Sequence, residues 1–322
     1  MSSPVVSIPG KVMLSGEYSV LGGGRSLAFT VDKRLQVSVE TQALGVSVHS
    51  ELWSEAKNLH LTDTAPENPL LNSVHWAMKN WGIDCCRVEV RSHINVSDGL
   101  GSSSAVRLAS LAALSRYAGR DDQLWDLARL AWQQQKLQQG FASGYDIASQ
   151  TCGGLVLFEP DYNNWPGQCQ DLGWKRLESI VHVFVGGKGA PTDLVAGSTS
   201  QWLKDQGRWD SLNQYADILI DELVAYNDGA ANYNSVIEAV ANHRRVFEDN
   251  LNFPIHIKND LSSVSGFDKT WSFKTTGAGG EDSILLFGSE NEIKDGVKKL
   301  KNLGWEKLNT SVSPQGLEII EG

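Results

Sequence analysis

DGLGSSSA, residues 98–105, is the stretch of this sequence that best predicts the fold. It leads directly into the clearest helical pattern of the chain, over residues 102–117. Glycines let a backbone approach a ligand closely, and the free N–H groups and dipole of a helix start favour negative charge. The stretch therefore predicts a phosphate-binding turn. Taken alone, it is equally typical of a glycine- and serine-rich loop that only caps a helix.

A second glycine-rich stretch, KTTGAGGED at residues 274–282, lies between apolar runs at 271–273 and 284–287. These runs are predicted as strands. A tight turn with exposed amide groups can bind an anion. A plain hairpin turn is the alternative interpretation.

Two further stretches place a lysine or an aspartate among small and apolar residues. Lys11 lies in PGKVMLSGEYSVL, residues 9–21, after a predicted strand at 5–8 that enters a turn at Pro9-Gly10. Such a lysine either reaches a partner or extends to water. Asp146 lies in ASGYDIAS, residues 142–149, where it is either a helix N-cap or a carboxylate in a cleft.

Strands and helices mix along the chain without strict alternation, which favours an α+β fold over a doubly wound parallel sheet. Residues 161–174 are polar and are predicted as a loop, so the expected domains are 1–175 and 176–322. Helical patterns are predicted at 70–81, 102–117, 124–137, 212–226, 233–247 and around 293–300.

Composition limits the class of protein. The formal net charge is -10 over 322 residues, which argues against general nucleic-acid binding. No apolar run is long enough to span a membrane, and the first residues do not resemble a signal peptide. The four cysteines lack the spacing of a zinc site or a disulfide framework. We therefore expect a cytoplasmic protein, monomeric or homodimeric, with no nucleic-acid or membrane partner.

In this order, the stretches at 9–21, 99–105 and 277–280 resemble the three motifs of the GHMP kinase superfamily. The resemblance spans nearly the whole chain. It implies an N-terminal nucleotide-binding domain like the second domain of ribosomal protein S5, and a ferredoxin-like C-terminal domain. It also implies a phosphotransferase that uses ATP and Mg²⁺.

Within the superfamily, the chain looks most like the phosphomevalonate kinases. Tyr18 stands where mevalonate kinases usually have His, and Gln135 where they have a magnesium-binding Glu. The stretch 143–148 and the turn 277–282 are similar to phosphomevalonate kinase motifs. The expected substrate is therefore a phosphorylated hydroxy acid, phosphomevalonate, converted to its diphosphate. The alternatives are a mevalonate kinase or another GHMP kinase, and, from other classes, a non-catalytic ligand-binding protein or a related decarboxylase.

The resemblance also implies a role for individual residues. Lys11 and Asp146 are the catalytic pair, and Ser103 helps to hold Mg²⁺. The implied ATP-binding residues are Asp98, Gly99, Leu100, Gly101, Ser102, Ser103 and Ser104. The implied substrate-binding residues are Lys11, Glu17, Tyr18, Ser143, Gly144, Asp146, Lys188, Thr192, Gly277, Ala278, Gly279 and Gly280.

Glu281 departs from the motif by placing a carboxylate beside an expected phosphate site, and we expect it to point outward. A phosphate acceptor is already ionised near pH 7, because its second pKa is about 6. We therefore expect Asp146 to act on Lys11 and Mg²⁺ rather than as a proton acceptor. We expect Lys188 to be a further cation that binds the substrate. Four other residues are weaker candidates, for which a solvated surface role is favoured: Arg34, His93, Arg107 and Lys274.

Overall fold

The computed structural model describes residues 4–186, 206–250, 255–277, 279 and 282–320, and within them it has twelve strands and eight helices. The strands are β1 (Val5–Ser15), β2 (Ser26–Glu40), β3 (Val46–Ser50), β4 (Lys57–Leu59), β5 (Cys86–Ser92), β6 (Leu155–Pro160), β7 (Gly167–Asp171), β8 (Val181–Val185), β9 (Ser272–Thr275), β10 (Ser283–Phe287), β11 (Glu306–Lys307) and β12 (Glu318–Ile320). The helices are α1 (Pro69–Trp81), α2 (Ser102–Tyr117), α3 (Leu124–Gln139), α4 (Tyr145–Cys152), α5 (Gln206–Asn227), α6 (Tyr233–Asn250), α7 (Ile257–Leu261) and α8 (Glu290–Asn302).

The larger sheet has the order β12-β1-β2-β5-β3-β4, and β6 and β7 extend it from β2. Strand β2 is long enough to pair with two strands on the same side. Its first residues, 26–29, pair with β6, and its last residues, 35–40, pair with β5. The pairing of β3 with β5 is parallel, and the other pairings in this sheet are antiparallel.

Helix α2 lies in the core against this sheet, and its sequence accounts for that position. Its inward residues are small or apolar, and most of the helix from Ala105 to Leu114 is fully buried. Small side chains let the helix approach the strands closely. Burying α2 fixes its N-terminus, and with it the DGLGSSSA stretch, at one edge of the core.

The smaller sheet has the order β11-β8-β10-β9 and is antiparallel throughout. Its second core is built around Trp271, Phe273 and Leu286, all fully buried. Strand β12 then returns to the larger sheet and pairs with β1. The division at residues 175 and 176 stays a prediction.

The structure confirms the α+β class and the main helices, and it corrects three local predictions. Pro9-Gly10 is not a turn: β1 continues to Ser15, and a register shift between Pro9 and Gly10 takes up the irregularity. The loop predicted at 161–174 contains β7, which forms a hairpin with β6. Asp146 is not an N-cap, because it lies in the first turn of α4.

None of the helices in the described ranges is long and apolar enough to cross a membrane.

Candidate active site

Strand β1 carries Lys11 past the loop of residues 98–101, which we call the 98–101 loop. The Lys11 backbone N–H donates to the Leu100 carbonyl at 2.9 Å. The Gln150 side chain on α4 donates to the carbonyls of Pro9 at 2.9 Å and Gly101 at 3.1 Å. These bonds join β1, α4 and the start of α2, so the Lys11 side chain faces the helix N-terminus.

The 98–101 loop needs glycine at two positions because other groups come too close for a side chain. Gly101 has φ 76°, and a Cβ there would lie 2.9 Å from Lys11 Cε. Gly99 has φ 67°, and a Cβ there would lie 2.8 Å from Ser283 Oγ. Gly99 also accepts a hydrogen bond from Lys11 Nζ at 3.2 Å through its carbonyl. The glycines therefore let a lysine and the start of β10 approach the loop.

In the turn between β9 and β10, of which the structure describes residues 276, 277, 279 and 282, Thr276 contacts β1. Its hydroxyl donates to the Met13 carbonyl at 2.7 Å and accepts from the Met13 N–H at 3.1 Å. The Thr276 side chain thus forms both hydrogen bonds that a neighbouring strand could otherwise form with Met13. As a result the β9–β10 turn, 263 residues away along the chain, reaches the same side of the molecule as the 98–101 loop.

The two turns border one cavity of about 490 Å³, a volume in the usual range for small-molecule sites. Of the predicted site residues, those that line it are Lys11, Glu17, Tyr18, Gly99, Gly101, Ser102, Ser103, Ser104, Ser143, Asp146 and Gly277. Asp98 and Leu100, in the same loop, are buried and do not line the cavity, and Leu100 belongs to the core. Gly144 is the N-cap of α4, and Gly279 lies in the β9–β10 turn without lining the cavity. The predictions for Lys188, Thr192, Ala278, Gly280 and Glu281 fall outside the described residues.

Lys11 is a buried cation that lines this cavity, with a relative exposure of 5%. Its Nζ lies 5.2 Å from the centroid of the Tyr145 ring. Burial alone would lower the pKa of Lys11, but Tyr145 and the carboxylates of Asp146 and Asp282 raise it above the ordinary value. The ammonium is therefore charged throughout the neutral range.

Asp146 projects from the first turn of α4 into the cavity and accepts a hydrogen bond from Gln135 Nε2 at 3.3 Å. Its Oδ1 has no hydrogen-bond partner among the described residues. Behind it, Arg107 of α2 is fully buried and donates to Asn72, Gln134 and Gln138. Burial lowers the pKa of Arg107 to about 10, and Asp146 opposes that shift, so Arg107 stays a cation at neutral pH. Arg107 is thus an internal charge that does not line the cavity, and the favoured surface role was wrong.

Asp282 is a cavity residue that the assignment of roles from sequence missed. It lines the cavity beside the 98–101 loop, and a Cβ on Gly99 would lie 3.7 Å from its Oδ2. Burial raises the pKa of its carboxyl group, while its own backbone N–H and Lys11 lower it. Its position at the end of a glycine-rich turn was the available signal, but sequence alone does not show which way such a turn points.

Glu17 and Lys274 form a buried ion pair that joins the cavity wall to β9. His243 of α6 lies 3.7 Å from the second carboxylate oxygen of Glu17. Burial lowers the pKa of Lys274, and Glu17 opposes that shift. The favoured surface role of Lys274 was wrong, because the residue is buried. Its pairing with Glu17 and its hydrogen bond to the Thr275 carbonyl at 2.8 Å also argue against the alternative role as a substrate cation. Arg34 also interacts within the protein: it donates hydrogen bonds to Ser7, Ser313 and Gly316 and forms an ion pair with Glu318.

The oxygen atoms around the cavity fit Mg²⁺ bound together with a polyphosphate. Ser103, Asp146 and Asp282 all line it. In the part of the chain that the structure describes, no three metal-ligating side chains form a cluster. Mg²⁺ is usually held by one or two carboxylates plus substrate phosphates rather than by a protein cage, so this sparse set is the expected kind.

Part of this site lies in a segment that matches a known protein family. Residues 69–154, which include the 98–101 loop and α4, match the family described as the GHMP kinases N terminal domain. This stretch therefore has the GHMP kinase N-terminal domain, and the predicted resemblance to the GHMP kinase superfamily is confirmed. The chain is 24% identical over 350 residues to a mevalonate kinase from Pyrococcus furiosus, with 98% of each chain covered.

Solved structures show that the whole chain has the GHMP kinase fold. A Lin0012 protein from Listeria innocua superposes with a TM-score of 0.79 at 17% identity, covering 99% of this chain and 100% of that one. A phosphomevalonate kinase from Streptococcus pneumoniae, in complex with phosphomevalonate and AMPPNP, superposes with a TM-score of 0.74 at 18% identity, covering 98% and 99%. The expected fold is therefore confirmed. The expectation of a GHMP-family kinase is supported by the match of residues 69–154 and by the mevalonate kinase relative, and neither specifies the acceptor.

Proposed function

We propose that this GHMP kinase transfers the γ-phosphoryl group of ATP to the 5-phosphate of phosphomevalonate and releases 5-diphosphomevalonate. The observation that carries the proposal is the convergence of the 98–101 loop and the β9–β10 turn on one cavity that holds Lys11 and Asp146. A cytoplasmic monomer or homodimer is part of the same prediction.

In the proposed mechanism, the N–H groups at the start of α2 and the hydroxyls of Ser102 to Ser104 bind the nucleotide phosphates. Mg²⁺ would be held by Ser103 with Asp146 or Asp282, and when bound it neutralises phosphate charge. Lys11 stabilises the charge that spreads over the transferred group. Asp146 keeps Lys11 oriented and charged, since their interaction raises the pKa of the ammonium.

The charge balance around Asp146 supports a phosphorylated acceptor. Gln135, a neutral amide, is hydrogen-bonded to Asp146 where mevalonate kinases usually have a carboxylate. Arg107 adds a buried positive charge close enough to Asp146 to interact with it. Both features make the potential at the acceptor end less negative, which suits an acceptor with a phosphate as well as a carboxylate.

Mevalonate is the second candidate acceptor, and two observations favour it. The relative from Pyrococcus furiosus, a mevalonate kinase, aligns over almost its full length. Asp282 also brings a carboxylate into the cavity, and its charge opposes a second anionic group. Mevalonate lacks the phosphate of phosphomevalonate, which adds a charge of about -1.5 to -2 at pH 7.

An acceptor panel separates these functions. The purified protein is given ATP and Mg²⁺ with phosphomevalonate, mevalonate, homoserine or galactose, and ADP release is measured. We expect the highest kcat/KM with phosphomevalonate. Higher kcat/KM with mevalonate would transfer the assignment to the second candidate. Nucleotide binding without turnover of any acceptor would support a ligand-binding protein, and release of CO₂ from diphosphomevalonate would support a decarboxylase.

The catalytic pair is tested in the same assay with Lys11→Met and Asp146→Asn. Loss of one preorganised charge in such a site lowers kcat by roughly 10²–10³-fold. Lys136→Met is the matched control, because Lys136 is exposed on α3 next to Gln135 and does not line the cavity. Full turnover by Asp146→Asn would contradict the site assignment.

A further inference from the structure

Two cysteines outside the catalytic cavity lie in direct contact. Cys152 is the last residue of α4, and Cys169 is in the middle of β7. They are 17 positions apart in sequence, and their Sγ atoms are 2.7 Å apart. Both residues are partly exposed.

The fold brings these sulfur atoms together through the β6–β7 hairpin. Cys169 pairs with Phe158 across the hairpin, which turns its side chain toward α4. Its Sγ also lies 3.8 Å from the Ala148 carbonyl of α4. β7 is an edge strand that pairs only with β6 among the described strands, so the contact with α4 is a main attachment of this edge.

The local chemistry makes the two thiols unequal. A hydrogen bond from Cys169 lowers the pKa of Cys152, and the same interaction raises the pKa of Cys169. A thiolate is the attacking species in disulfide exchange, so Cys152 is the more reactive of the two. The neighbours Cys85 and Cys86 differ, because Asp84 raises the pKa of Cys85 and burial raises that of Cys86 to about 12.

We propose that Cys152 and Cys169 are a thiol modification site that a low-molecular-weight disulfide such as oxidised glutathione converts to an intramolecular disulfide. The Cys152 thiolate attacks one sulfur of oxidised glutathione, and the S–S bond breaks to release one glutathione thiolate. Cys169 then loses its proton and attacks Cys152 Sγ in the mixed disulfide, which releases the second glutathione. Two electrons and two protons pass to oxidised glutathione, which becomes two reduced molecules.

The cross-link ties the edge hairpin to α4, the helix whose first turn carries Asp146. Because the sulfur atoms already touch, α4 does not need to move far for the bond to form. A cross-link that closes a loop in the chain restricts the unfolded state, so the oxidised protein should unfold at a higher temperature than the reduced one. This inference does not depend on the identity of the acceptor.

The test equilibrates the reduced full-length protein in glutathione buffers of increasing oxidised fraction, blocks free thiols and measures the intact mass. We expect loss of two of the four thiols, with no retained glutathione, and a midpoint of thermal unfolding raised by several degrees. Chymotryptic digestion without reduction should leave one species that joins the peptides containing Cys152 and Cys169, since Phe158 and Tyr162 lie between them.

Matched variants make the test specific. Cys85→Ala should form the cross-link like the unaltered protein. Cys152→Ser and Cys169→Ser should form no internal disulfide and should carry at most a glutathione adduct. The proposal is overturned if the unaltered protein keeps four free thiols under oxidising conditions, stops at a stable mixed disulfide, or joins a different pair.

Discussion

At the scale of single residues, Gly101 connects the conformation of the 98–101 loop to the position of Lys11. Alanine there would combine a left-handed φ with a Cβ 2.9 Å from Lys11 Cε. We expect Gly101→Ala to lower the free energy of unfolding by about 1–3 kcal/mol and to weaken nucleotide binding, because either the loop or the lysine must move. Chemical denaturation and calorimetric titration with an ATP analogue measure the two effects.

Gly119→Ala is the control for that substitution. Gly119 has a similar φ of 70°, but a Cβ there would meet no atom within 4 Å. Its free energy of unfolding should fall by about 1 kcal/mol, the cost of the left-handed conformation, and its affinity for the nucleotide should be unchanged. Equal loss of affinity in both variants would show that contact with Lys11 has no part in binding.

The pH dependence of turnover follows from the charge on Lys11. Its pKa is raised above 10.5, so its positive charge is present at all lower pH values and is lost only above that value. The phosphate of the proposed acceptor is ionised above about pH 6. We therefore expect kcat to be constant between about pH 6.5 and 9. A rate that follows one group titrating near pH 7 would show instead that a general base is required.

At the scale of elements, the β9–β10 turn is positioned by one buried side chain. Thr276→Val keeps the shape of the residue but removes both hydrogen bonds to Met13. Leaving a buried N–H and carbonyl without partners should cost about 1–3 kcal/mol of unfolding free energy. The KM for ATP should rise as well, because the turn borders the cavity.

The control for this change is Thr270→Val, which alters an exposed threonine just before β9. We expect its free energy of unfolding and its KM for ATP to match those of the unaltered protein. If Thr276→Val also leaves both values unchanged, the turn is held in place by other contacts.

Elements were predictable where sequence pattern and burial agree. Helix α2 was predicted with its observed bounds because small and apolar residues recur at helical spacing from Ala105 onward. Strand β7 was missed because its residues, Gly167–Asp171, are polar and lie at a partly exposed edge. The continuation of β1 past Pro9 was missed because a bulge accommodates a residue pair that usually signals a turn.

At the scale of the whole molecule, the Glu17–Lys274 pair and His243 link the cavity wall to β9 and α6 in a buried cluster. Burial, with a contribution from Lys274, lowers the pKa of His243 well below 6.5. The unfolded chain therefore binds a proton at this residue as the pH falls below about 6.5, and the folded protein does not. The free energy of unfolding should fall with acidification and should be unaffected by this group above pH 6.5.

His243→Gln tests that linkage. Between about pH 6 and 5, the unaltered protein should lose up to about 1.4 kcal/mol per pH unit more than the variant. His60→Gln, which changes an exposed histidine, should keep the slope of the unaltered protein. Parallel slopes for the unaltered protein and His243→Gln would contradict a neutral buried His243.

The sequence predicted individual site residues better than it predicted the contacts between them. Lys11, Asp146 and Ser103 were predicted as site residues from the motifs, and all three line one cavity. The pairing of Lys274 with Glu17 and the inward position of Asp282 were not predictable, because both depend on contacts between residues more than 180 positions apart. Such contacts are set by packing of the two sheets, which no local pattern records.

The central claim is that the 98–101 loop and the β9–β10 turn hold one polyphosphate between them, with Lys11 and Asp146 at its far end. A crystal structure with Mg²⁺ and a non-hydrolysable ATP analogue tests this most directly. We predict triphosphate oxygens within hydrogen-bond distance of the Ser102–Ser104 amides and the γ-phosphate within reach of Lys11 Nζ. A triphosphate bound away from the start of α2, or a γ-phosphate facing away from Lys11, would contradict the account.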